Sequence, residues 1–195
     1  MSNQVETLVD VQLTNRNRAT VFWRGILVVP VAIFAASFEH IARTNWDSTP
    51  ILVAPAFLAL VFRTVYPSYV LTFNHAVTEL STRISSYVLL LTDDYPSIER
   101  NPNIAVIFPD VEGGKKLNRW LPLVKWFLAI PLYIVGILYA ILTLVLTFFA
   151  WITTSITGNY PEWAAKVALG TIDFWNRVYG YSLLLVTDEY PSFSL

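Results

Sequence analysis

Residues 117–157 constrain this chain more than any other stretch. Over that span the only charged side chains are Arg119 and Lys125, both near its start. As one helix it would be roughly 60 Å long at 1.5 Å per residue, against a hydrocarbon core of about 30 Å. The run is therefore expected to cross a membrane twice, turning near Gly136–Ala140. The competing reading is one crossing, preceded by an interfacial helix that kinks at Pro131. The N-terminal half has a similar run at residues 19–38 and a shorter one at 50–62. Between them residues 39–49 carry Glu39, His40, Arg43, Asn45 and Asp47, too polar for lipid, so the chain is expected to reach water there.

Composition agrees. The 195 residues are 55% hydrophobic and 14% charged, where soluble domains run about 45–50% apolar and about 25% charged. Disordered, collagenous and disulfide-scaffold classes are excluded. With no Cys there is no thiolate nucleophile and no Cys-based zinc site. A net charge of −1 leaves no basic excess for nucleic acid. Residues 1–18 are polar and no small-residue cleavage pattern follows, so the first apolar run reads as a retained anchor.

The chain also repeats itself. Arg177-Val178-Tyr179-Gly180-Tyr181 leads through a Leu run to Thr187-Asp188-Glu189-Tyr190-Pro191-Ser192. Arg83 leads through Tyr87 and another Leu run to Thr92-Asp93-Asp94-Tyr95-Pro96-Ser97. Tyr160-Pro161 matches Tyr66-Pro67, and Lys125 with Pro131 matches Arg24 with Pro30. The chain thus divides into two tandem units, residues 1–100 and 101–195. Each is read as a strand, a basic residue, a Pro-containing transmembrane hairpin, an amphipathic helix and a closing turn. The fold class expected is a mainly α, polytopic membrane protein with small β segments on the cytoplasmic side.

If both units cross twice, only Arg43 of the thirteen Lys and Arg lies on the hairpin-loop side. Positive charge marks the cytoplasmic face, so both termini are expected in the cytoplasm, at the cell (inner) membrane. The amphipathic helices are expected at residues 69–85 and 162–179. The polar residues Lys166, Asp173, Asn176 and Arg177 suit a helix lying in the membrane plane or one packed with its polar face inward. Seven Trp and ten Tyr suit an interfacial belt. Residues 9–14 alternate and 104–108 are β-rich. They are expected to pair with residues 88–92 and 182–187, and residues 101–114, rich in Pro and Gly, to connect the units.

Arg-Val-x-x-Tyr, a Leu run, Thr-Asp-x-Tyr-Pro and Phe-Ser-Leu, with the preceding Ile130-Pro131 and Thr157-Gly158-x-Tyr160-Pro161, resemble a bacterial membrane family known as domain of unknown function 4389. The resemblance covers residues 118–195 and, more weakly, 16–97. The family pattern has a His, a basic residue and a second Pro where this chain has Leu132, Asn159 and Ser192. The resemblance implies a membrane location, assigns no activity and supplies no catalytic residues.

Little in the sequence points to reaction chemistry. His40 and His75 are the only histidines, and neither has a ligand partner at helical spacing, so no metal site is expected. No nucleophile elbow, phosphate-binding loop or dinucleotide fingerprint occurs, and no catalytic residue or cofactor is expected. The repeated Thr-Asp-acid-Tyr-Pro-Ser reads as a turn, in which Asp bonds its own backbone and Pro fixes φ. Its alternative is a pair of acidic cation sites, Asp93/Asp94 and Asp188/Glu189. The site candidates are Arg83 and Arg177, each about three helical turns before a repeated Asp. They are expected either to pair with Asp93 and Asp188, within or between units, or to meet lipid phosphate. The chain is thus expected to be a non-enzymatic scaffold or accessory subunit of a membrane complex. Its partners would be the lipid bilayer and other subunits or copies of itself. A lipid-handling protein, carrier or headgroup enzyme, is the alternative.

Overall fold

The computed structural model describes residues 3–42, 52–99 and 101–195, residues 38–42 by their backbone. The fold is mainly helical. Strand β1 (Glu6–Val9) is followed by α1 (Arg18–Leu27), α2 (Val29–Ala42), α3 (Val53–Arg63) and α4 (Ser68–Val88). Strand β2 (Ile104–Ile107) then precedes α5 (Pro122–Leu128), α6 (Ile130–Thr157) and α7 (Glu162–Ser182). Most of the polar loop expected at residues 39–49, with Arg43, lies outside the described residues, as does the side chain of His40.

Local chemistry sets the helix ends. Asn17 caps α1, its side chain accepting from the Ala19 and Thr20 N–H groups. A proline in the first turn of the following helix marks both breaks in the apolar helices. Pro30 stands just inside α2, after α1, and Pro131 just inside α6, after α5. The missing N–H and the ring bulk of proline break the ladder there. Pro67 and Pro161 occupy the N-cap positions of α4 and α7 in extended conformation. Gly158 ends α6 at φ 76°, the left-handed cap that favours glycine.

Three expectations are corrected. Residues 117–157 do not form a hairpin: α6 is one continuous helix of 28 residues, preceded by the short α5 and a break at Ala129. Gly136 is a point of close approach rather than a turn, since a Cβ there would lie 2.7 Å from Cζ2 of Trp175 on α7. The first strand lies at Glu6–Val9 instead of 9–14. Finally, the strands pair with each other, antiparallel, with Glu6 opposite Ile107 and Val9 opposite Ile104. Residues 88–92 and 182–187 are taken by the ends of α4 and α7 and by reversals at positive φ, Leu90 at 68° and Leu185 at 58°. Residues 88–92 meet residues 9–14 through a single backbone bond, Gln12 N–H to Leu91 O at 2.9 Å. The alternation seen there is real, but it packs Val9, Val11 and Leu13 onto a core cluster instead of building a ladder.

The elements stack in three layers. α4 and α7 form the middle one, antiparallel. The segment after α4, with Leu90 and Leu91, packs on the start of α7 at Ala164, Ala165 and Ala168. The segment after α7, with Leu184 to Val186, packs near the start of α4 at Val70. On one side β1 lies over α7 and β2 over α4. On the other lie α1–α3, α5 and α6. α6 runs antiparallel along α7, with Leu132 against Phe174 and Val178, Thr143 bonded to Thr171 at 2.7 Å, and Ala150 beside Ala164 and Ala168. At about 100° per residue, α7 thus turns Ala164, Ala168, Thr171, Trp175 and Val178 toward α6. Asp173, Asn176, Arg177 and Gly180 fall on its opposite face, toward β1.

Candidate functional site

The Thr-Asp turns that close α4 and α7 each receive a buried cation from an apolar helix. In the first, Asp93 is held by two guanidinium groups. Arg16 Nε reaches Oδ1 at 2.8 Å and Arg24 Nη2 reaches it at 2.5 Å, while the Asn17 N–H donates to Oδ2 at 2.9 Å. Arg16 also donates to the Gln12 and Leu90 carbonyls, and Arg24 to the Tyr87 carbonyl. Arg24 lies 4.4 Å from the Tyr87 ring centre. The side chains of Arg16, Arg24 and Asp93 are 0%, 4% and 16% exposed, so the charges are shielded from water. Burial works against the Asp93 carboxylate, but the Arg16 bond, the Asn17 N–H and the two positive charges outweigh it and hold its pKa below the usual carboxylate range.

The second turn uses one cation. Lys125 Nζ meets Asp188 Oδ1 at 2.6 Å, donates to the Thr187 carbonyl at 2.6 Å and lies 5.1 Å from the Tyr181 ring centre. The Asn118 N–H donates to Asp188 Oδ2 at 2.5 Å. Burial lowers the pKa of Lys125, only partly offset by Asp188. In both turns the Thr hydroxyl accepts from the N–H two residues on, Asp94 and Glu189, at 3.1 Å. The acidic neighbours bind other segments: Asp94 takes the Asn103 amide at 2.8 Å, and Glu189 takes the Asn3 N–H at 2.9 Å.

The site residues read from sequence are therefore present but differently paired. Asp93 is held by Arg16 and Arg24 in place of Arg83, and Asp188 by Lys125 in place of Arg177. Arg83 donates instead to the Glu99 carbonyl. Arg177 donates to Ser192 Oγ at 2.5 Å and to the Ser194 carbonyl at 2.7 Å, and pairs with Asp173 one turn back at 3.2 Å. Both arginines thus fasten the chain that follows the Tyr-Pro, while the Asp faces the apolar helices. The ion pairs of Asp93 and Asp188 lie within each half, while the Asp94–Asn103 and Glu189–Asn3 bonds cross between the halves. A cation at Asp93 would have to displace two guanidinium groups, and among the described residues no three His, Asp or Glu cluster as a metal site.

Contacts between the halves fall to residues whose recurrence was visible but whose role was not. Tyr66 OH donates to the Leu184 carbonyl at 2.7 Å, and Tyr160 OH to the Leu89 carbonyl at 2.8 Å. Their backbone N–H groups bond Gly113 O at 2.8 Å and Leu13 O at 2.7 Å. Burial pushes both phenols up to about 12. Asn176 on α7 donates to Thr82 on α4 and to Thr7 on β1, both at 3.0 Å. Arg18 donates to the Thr157 carbonyl at 3.2 Å and Arg119 to the Val61 carbonyl at 2.5 Å.

One open groove of about 830 Å³ runs between α4 and β2, lined by His75, Glu79 and Phe108 among others. His75 Nε2 lies 2.7 Å from the Val106 carbonyl and 3.9 Å from Glu79. It is bound within the fold, and among the described residues no hydroxyl or thiol nucleophile lines the groove beside it other than Thr72.

Compared with known proteins, the chain is similar over residues 120–194 to the domain of unknown function (DUF4389). That single stretch takes in α5, α6, α7 and the Asp188 turn. No curated protein matches the chain, and neither does any solved structure.

Proposed function

We propose that this chain is an integral membrane protein acting as a non-enzymatic scaffold or accessory subunit, built from two tandem repeats, residues 1–100 and 101–195. The observation that carries the reading is the large number of exposed apolar side chains on the layer of α1–α3, α5 and α6, together with charged groups at the two Thr-Asp turns that are bound within the fold. Two helical stretches, Arg18–Ser37 and α6, are long and apolar enough to cross a membrane. Phe22, Ile33, Phe62, Phe127, Leu144 and Ile156 are among more than a dozen large apolar residues that their layer leaves exposed. Soluble monomers rarely expose an apolar patch of more than a few hundred Å². The charged side chains at the two Thr-Asp turns, by contrast, are bound to backbone or to each other, which leaves no activated nucleophile and base there to run a reaction.

The repeat reading rests on bonds that recur at matched positions: Asn17 and Asn118, Arg24 and Lys125, Tyr66 and Tyr160, Thr92 and Thr187, Asp93 and Asp188. An antiparallel β1–β2 pair and the Thr82–Asn176 contact are what a pseudo-two-fold axis through the middle of the molecule would produce. In this reading the termini and the Lys/Arg-rich segments share the cytoplasmic side. The continuous α6 removes one of the two hairpins, so the count of four crossings is not carried forward.

The experiment is purification from membranes in mild detergent, followed by native mass spectrometry. A scaffold gives a protein partner or a homo-oligomer in fixed ratio. A monomer carrying one stoichiometric anionic lipid, lost in Arg177→Ala, would replace this reading with the lipid-handling one.

A further inference from the structure

We infer that the chain sits in one leaflet, with α6 lying in the plane of the membrane instead of passing through it. The inference rests on the membrane reading above and adds which surface meets lipid and how it is oriented.

α6 is apolar nearly all round, yet its neighbour is not. Thr143 bonds Thr171, and Ala150 packs with Ala164 and Ala168. Lys166, between Ala164 and Ala168, is therefore level with Ala150, in the second half of α6 and about 10 Å from its centre, and it is exposed on the face of α7 turned away from α6. Asp173 and Arg177 share that face and lie level with the first half of α6, near Gly136, which touches Trp175. Beyond them comes the β1–β2 ribbon, with Glu6 and Asp10 exposed. Were α6 a crossing, an exposed lysine and the polar ribbon would stand at bilayer depth against acyl chains. Intramembrane charges are instead found facing a bundle interior or a water-filled cavity, and lipid-exposed open sheet edges do not occur in the hydrocarbon.

Laying α6 flat removes the conflict. The layer of α1–α3, α5 and α6 then faces one way, into the leaflet, and the ribbon faces the other, into water. The three layers stack along the direction of the pseudo-axis, so that axis becomes the membrane normal. Interfacial helices bury an apolar face about 5–10 Å into the headgroup–acyl boundary. Here α7 takes the place of the polar face such helices usually carry. Tyr69 and Trp163, at the starts of α4 and α7, are 72% and 49% exposed and would sit at opposite edges of the immersed surface, where aromatic rings are favoured. The charge pattern also fits: segments at both ends of α6, Arg16 and Arg18 at one and Lys115, Lys116 and Arg119 at the other, fall on one face of the bilayer, as positive-inside placement favours. A crossing would split them.

The absence of Cys makes the test direct. Single cysteines replace the exposed residues Lys116, Asn159 and Lys166, before α5, just after α6 and on α7. Each variant is probed with a membrane-impermeant maleimide in carbonate-washed inside-out and right-side-out vesicles. In-plane placement gives labelling of all three from the cytoplasmic side only. Labelling of Lys116→Cys and Asn159→Cys from opposite sides, with Lys166→Cys protected, overturns it while leaving the membrane reading intact. Release of the chain by carbonate overturns both.

Discussion

Replacing Asp93 by Asn keeps its shape and removes the charge that two buried guanidinium groups share. Arg16 and Arg24 would then lie within hydrogen-bond distance of each other's acceptor with no counter-ion. Removing one partner of a buried pair typically costs about 3–5 kcal/mol. Asp93 is 16% exposed, so little solvent screening relieves the charge, but the carbonyls of Gln12, Leu90 and Tyr87 still accept from the arginines. The lower end, about 3 kcal/mol, is expected. For a chain of this size each kcal/mol shifts Tm by roughly 2–4 °C, so Asp93→Asn should melt roughly 6–12 °C lower. The seven Trp allow the melt to be followed by intrinsic fluorescence in detergent. Asp110→Asn is the control, since that side chain is 78% exposed. Equal melting of the two variants would refute the claim that the Asp93 cluster holds the first half together.

Acid should act through the same cluster. The folded pKa of Asp93 lies below its unfolded value of about 3.9. Its contribution is therefore present above about pH 4 and lost as pH falls through the folded value. Asp93→Asn should lose stability less steeply in that range, as read from melts at stepped pH. Tyr66→Phe leaves the buried Leu184 carbonyl without its donor, at about 1–3 kcal/mol, and Tyr160→Phe leaves the part-buried Leu89 carbonyl without its own, toward the lower end of that range. Both should lower Tm, and Tyr69→Phe, 72% exposed, should not. Gly136→Val would press on Trp175 and cost about 1–3 kcal/mol. Gly25→Ala, within α1 and with nothing within 4 Å of its new Cβ, should gain about 0.4–1 kcal/mol. Paired melts of these two variants separate close packing from general intolerance at glycine.

What the sequence revealed and concealed follows from range. The ends of α4 and α7 were legible because Tyr66-Pro67 and Tyr160-Pro161 start them and the repeated Arg and Thr-Asp finish them. The helical nature of residues 130–157 was legible too, but an apolar run has the same composition whether it folds back or continues. Gly136 served equally well as a turn and as a slot for Trp175. The sequence offers Arg83 and Arg177 as partners of Asp93 and Asp188 because Arg and Asp recur in both halves at nearly equal spacing. The reversal at Leu90 turns Asp93 toward α1 instead, where Arg24 waits some seventy residues upstream in sequence. The matched positions of Arg24 and Lys125 were the signal that could have shown this, since a buried cation recurring in both halves needs a recurring anion. Strand pairing failed for a related reason. The expected partners were the segments that follow α4 and α7, whereas β1 and β2 pair with each other across about a hundred residues of sequence.

The most direct test of the membrane account is the immersion depth of α6, measured with nitroxides placed singly at Ile134, Ile141 and Phe148. These positions fall on one exposed stripe of the helix, with exposures of 58%, 55% and 58%. Relaxation by oxygen and by a water-soluble nickel complex in bilayers reports depth at each. The account predicts high oxygen and low nickel contact at all three, with equal depth within a few Å. A gradient, deepest at Ile141 and rising toward both ends, would contradict in-plane placement, and strong nickel contact at all three would contradict contact with lipid altogether.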